Sequence, residues 1–146
     1  MSSVIVRYKR ESGHNALFAF ISHSNQVYNS ALKVLQSLIF QLLYDNCSLQ
    51  LTMHEAYMSH YRGIASSLEF DTQLFSDLIK DSGPVFVVID GVDEIPEMER
   101  QRLLKALISQ LKSCENMELL VNSRGESDIS FLLGTGVPSV LLTIGI

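Results

Sequence analysis

Three carboxylates stand within five positions where the chain leaves a run of apolar residues: "VFVVIDGVDEI", Val85 to Ile95, carries Asp90, Asp93 and Glu94, with Gly91 among them. A carboxylate that ends a buried strand emerges with little water around it. Uncompensated charge there costs roughly several kcal/mol, which invites a cation or ordered water. Magnesium keeps several waters and takes one or two carboxylates plus phosphate oxygens, so Asp90 is the candidate metal ligand. Gly91 permits a tight backbone turn. Beyond it, Asp93 and Glu94 are placed to face the same cleft, where a carboxylate orients or deprotonates an attacking water. Taken singly, either is also an acid near a helix start, where the dipole favours it. The whole string, a greasy strand running straight into so much negative charge, is what points to a ligand.

Such a strand needs a sheet around it. "VFVVID" is β-branched and continuously apolar, the pattern of a strand covered on both faces in a parallel sheet. "ALFAFIS" at 16–22 reads as an earlier buried strand, and "MELLVNS" and "PSVLLTI" as later ones. Between them the period changes to that of helices. From Ser30 to Tyr44, Leu32, Leu35, Leu38, Ile39, Leu42 and Leu43 recur at three- and four-residue steps, with Ser30 as N-cap. A weaker helix covers 49–61, and Asp71 is a cap candidate for a third that stops at Gly83-Pro84. Pro96 starts "EMERQRLLKALISQLKSC", with acids early and bases late, and "ESDISFLLG" reads as a short helix. Strand alternating with helix predicts an open parallel α/β sheet with right-handed crossovers, whose chemistry lies beyond the carboxyl ends of the strands. Asp90 and the pair Ser123-Arg124 fall at that end.

Composition narrows the alternatives. The chain has 146 residues, enough for one domain with a sizeable core, and 47% are hydrophobic, with no low-complexity tract. A net charge of −5, with only Tyr8-Lys9-Arg10 clustered, offers no basic surface for nucleic acid. Cys47 and Cys114 form no CxxC pair, and His14, His23, His54 and His60 fall at no ligand spacing, so neither a disulfide framework nor a zinc site is expected. No apolar run approaches the length of a membrane span and the N-terminus lacks the order of a signal peptide, so the expected location is cytoplasmic. An aspartyl nucleophile of the carboxylate-phosphatase kind would need Asp-x-Asp, and here the second acid comes one position too late.

The residues also resemble a known family. "VFVVIDGVDE" resembles the Walker B segment of the NACHT-type, nephrocystin-like group of STAND P-loop NTPases, and "MELLVNSRGE" resembles its sensor strand. "LFAFIS" followed by "ALKVLQSLIFQLL" is similar to the segment after the P-loop helix, so the likeness spans about residues 16–133. The resemblance implies a three-layer α/β fold, with Asp90 on the magnesium, Asp93 and Glu94 on the attacking water, and Ser123 and Arg124 sensing the nucleotide's terminal phosphate. Asn122 and Gly125 depart from the Thr and Pro often found beside that Ser-Arg. Outside the resemblance, Arg124 is equally a solvated arginine paired with Glu126 or Asp128, and Ser123 a helix cap.

One half of that site has no counterpart. The phosphate cradle GxxxxGK[ST] requires a Gly-Lys pair, and none of the eight glycines is followed by lysine. The resemblance puts the P-loop strand between the sensor strand and the last strand, so the expected fold is an incomplete P-loop sheet lacking that strand and its helix. Residues 1–15 are expected to be irregular and 16–146 to form a partial NACHT-like NTPase domain; in the alternative, "SVIVRY" at 3–8 replaces the missing strand. On this reading the parent binds ATP and magnesium and hydrolyses slowly as a signalling switch, while this chain alone is inactive. The competing reading is a non-enzymatic interaction module that pairs with a partner NTPase, or with itself, through an exposed sheet edge. The fragment expectation predicts an in-frame GxxxxGK[ST] in the genomic sequence just before Met1, and a read of that DNA without one would discard it.

Overall fold

The apolar periodicities translate into a single parallel sheet with helices on both faces. The computed structural model describes residues 2–13, 15–22, 24, 29–59, 67–124 and 140–144. In chain order the elements are α1 (Ser2–Glu11), β1 (Asn15–Phe20), α2 (Ala31–Asp45), α3 (Gln50–Ser59), α4 (Leu68–Lys80), β2 (Val85–Asp90), α5 (Glu97–Ser113), β3 (Met117–Ser123) and β4 (Val140–Ile144). Single 3-10 turns precede α3 at Cys47–Leu49 and follow β2 at Val92–Glu94. The four strands lie in the order β1-β2-β3-β4, every pair parallel. The α/β class with a parallel sheet, expected from the alternation of patterns, is the observed architecture. Among the described residues no helix is long and apolar enough to cross a membrane.

The two faces of the sheet are covered unequally. On one face Leu17, Val87, Ile89 and Val121 join a large core with Leu38 of α2 and Phe75 of α4. Full burial of side chains of this kind is worth about 1.5–3 kcal/mol each, so this layer carries most of the stability. On the other, Val6 of α1 packs on Ala16, Phe86, Val88 and Leu120. The N-terminal segment is therefore a ten-residue helix, neither irregular nor a strand as expected from its sequence. Its β-branched residues favour extension only weakly, and tertiary context overrides that preference when a sheet face needs cover. Lys9 and Arg10 fill its last turn, where cations suit the dipole. Lys9 Nζ lies 4.8 Å from the centre of the Phe86 ring and 3.3 Å from Glu118 Oε2.

Polar side chains close what the ladders leave open. Ser30 caps α2 as expected, its Oγ accepting from the Lys33 N–H at 3.2 Å. α4 begins earlier than its pattern suggested and is capped by Ser67, whose Oγ accepts from the Phe70 N–H. Asp71 is thus no cap; it is buried inside α4 and accepts from Gln36 Nε2 of α2 at 3.0 Å. At the outer edge of β1, Gln41 of α2 works as a substitute strand: its Nε2 donates to the Phe18 carbonyl at 2.8 Å and its Oε1 accepts the Phe18 N–H at 3.0 Å. Arg10 donates from Nε and Nη2 to the Ala16 carbonyl. That edge is closed along these residues to strand addition, the pairing mode expected for an interaction module.

At the far side β4 pairs directly with β3, from Leu119↔Val140 to Ser123↔Ile144. The gap that the family resemblance placed between these strands is absent, because β3's outward ladder groups are met by the last strand itself. The short helix expected at "ESDISFLLG" lies outside the described residues.

Burial raises the pKa of Asp71 above the usual carboxylate range, with the Gln36 hydrogen bond pulling the other way. The folded state then holds that proton more tightly than the unfolded chain. Stability falls as pH rises from the ordinary carboxylate value through the folded one, and the burial cost is fully present above it. Asp71→Asn keeps an acceptor for Gln36 and removes the charge. We expect its Tm at pH 7 to exceed that of the wild type, and the gap to close as the pH is lowered into the acid range, measured by thermal unfolding across pH.

Candidate functional site

Gly91 sets the geometry at the carboxyl edge. It takes φ 84° and ψ 31°, a left-handed turn that sends the chain from β2 into the 3-10 turn. A Cβ at this position would lie against the carbonyl oxygen of Ile21, so the backbones of two strand ends touch here. Around that point the Ile21 N–H donates to the Asp90 carbonyl at 2.8 Å, and the Gly91 N–H to the Asn122 carbonyl at 2.9 Å. The ends of β1, β2 and β3 are tied together on the residues that carry the acids.

Asp90 ends β2 half-buried, in register with Phe20 on one side and Asn122 on the other. Asn122 Nδ2 donates to Asp90 Oδ1 at 2.9 Å, which fixes the carboxylate plane and leaves Oδ2 for another partner. Asn122 entered the sequence reading only as a departure from Thr; its contact with Asp90 depends on the β2–β3 register, which no local pattern encodes. Asp93 turns toward β3. Its Oδ1 accepts the Arg124 N–H at 3.2 Å, and its Oδ2 lies 3.9 Å from Arg124 Nε. Its side chain is 11% exposed and that of Arg124 78%. Arg100 of α5, buried, donates from Nη1 to the Asp93 carbonyl at 3.3 Å and holds the turn from behind.

The remaining expected residues are placed less directly. Glu94 is half-buried in the 3-10 turn, with its N–H on the Gly91 carbonyl at 2.9 Å. Ser123 is buried, and its hydroxyl donates to the Arg124 carbonyl at 2.7 Å, so only Arg124 of this pair presents an exposed side chain at the edge. Glu126 and Asp128, the alternative partners for Arg124, lie outside the described residues. Among the described residues no three of His, Cys, Asp and Glu converge as a metal cage. A single strand-end carboxylate with one oxygen oriented fits a hydrated magnesium held mainly by water and phosphate, not a cation held by protein alone.

α1 leads to the same edge. Its last turn meets Ala16 and Glu118 near the amino ends of β1 and β3, while Ser3 in its first turn shares a groove with Phe20 at the carboxyl end of β1. α1 thus runs antiparallel to the strands, with its N-terminal turn on the side where Asp90 emerges.

The family model described as Nephrocystin 3, N-terminal matches residues 1–124. The chain belongs to this family. The match takes in α1 and all of the carboxyl-edge residues through Arg124, so the acids, Asn122 and the Ser-Arg pair lie inside the shared domain. No curated protein and no solved structure gives a significant match.

Gly91 joins a positive φ to a backbone contact that cannot relax by a rotamer change. Gly91→Ala is expected to cost at least about 2 kcal/mol, combining left-handed strain with the displaced Ile21 carbonyl. Urea unfolding measures this, and a loss below about 0.5 kcal/mol would show that the strand ends are not locked as described.

Proposed function

We propose that the chain is part of a NACHT-type NTPase domain of a signal-transduction protein, contributing the magnesium and water side of an ATP site. The observation that carries this reading is the placement, at one carboxyl edge of a parallel sheet, of Asp90 held by Asn122 and of the Asp93–Arg124 pair. Membership of the nephrocystin 3 N-terminal family supports it.

In this role Asn122, donating to Asp90 Oδ1, would orient the carboxylate that is to hold a hydrated magnesium. Bound magnesium supplies neutralisation of phosphate charge. Glu94, in the turn past Gly91, orients the attacking water. Asp93 keeps the end of β3 in place through the Arg124 N–H. The Arg124 guanidinium is exposed and only loosely paired, at 3.9 Å from Asp93 Oδ2. With the guanidinium in water and the contact this long, the ion pair is weak, so the guanidinium can exchange the carboxylate for a terminal phosphate. The 146 residues contain no GxxxxGK[ST], so the phosphate cradle must come from elsewhere.

Two measurements test the reading. Calorimetric titration of the purified chain with magnesium-ATP is expected to give no micromolar binding; micromolar binding lost in Asp90→Ala would place a complete site in these residues. In a longer parent that carries the phosphate loop, Asp90→Ala is expected to abolish magnesium-dependent nucleotide binding. Glu94→Gln should keep binding and lower hydrolysis by about 10²-fold or more. Parent variants with wild-type binding and turnover would overturn the proposal.

A further inference from the structure

We draw no further inference here: the strongest candidate, the cleft of about 560 Å³ between α4 and α5 lined by Lys80, Lys105 and the buried Ser76 and Gln110, carries nothing because Gln110 donates to the Thr72 carbonyl, Ser76 meets Cys114 Sγ, the Thr72 and Ser113 hydroxyls bond to carbonyls of their own helices, and nothing in the structure shows what fills it.

Discussion

The contact between Gly91 and the Ile21 carbonyl is the constraint on which the carboxyl edge depends. Two strand ends approach so closely there that no side chain fits, and the left-handed turn lets β2 end on an acid while the chain crosses toward β3. The hydrogen bonds from Ile21 to Asp90 and from Gly91 to Asn122 convert that approach into a three-strand junction. Every candidate functional side chain is within four residues of it in sequence or bonded across it. Without the junction, Asp90 would end a strand with nothing to fix its carboxylate plane.

The acids that looked like one cluster in sequence have separate structural duties. Asp90 is oriented by Asn122, and Asp93 is turned to the end of β3, where it receives the Arg124 N–H. Each is half-buried or nearly buried, and each has an oxygen that accepts a hydrogen bond from the end of β3, which offsets part of the cost of taking a polar group out of water. β3 therefore does more than extend the sheet. Its last residues hold both acids from the side, one by a side chain and one by the backbone.

The sheet itself is asymmetric. One face is packed by α2, α4 and α5, and the other is covered by α1 over β1, β2 and part of β3. The edges differ too: Gln41 and Arg10 close β1 by hydrogen bonds, and β4 completes the ladder of β3. Closing the β1 edge with side chains protects it from strand addition.

Much of this was legible in the residues. The continuous apolar run of β2, the Leu-rich period of α2 with its Ser30 cap, and the boundaries of β3 follow from local pattern, because burial on both faces or on one stripe imposes those patterns directly. α1 was not legible: "SVIVRY" has extended preferences, and only the free sheet face made a helix of it. Asp71 read as a cap for the same reason, since nothing local announces that Gln36 of another helix will accept its burial. The carboxylates of the carboxyl edge were determined by sequence alone, as residue types at the end of a greasy strand. Which oxygen each presents, and to which neighbour, was decided by strand register, a long-range property set when the core packs and the ladders align.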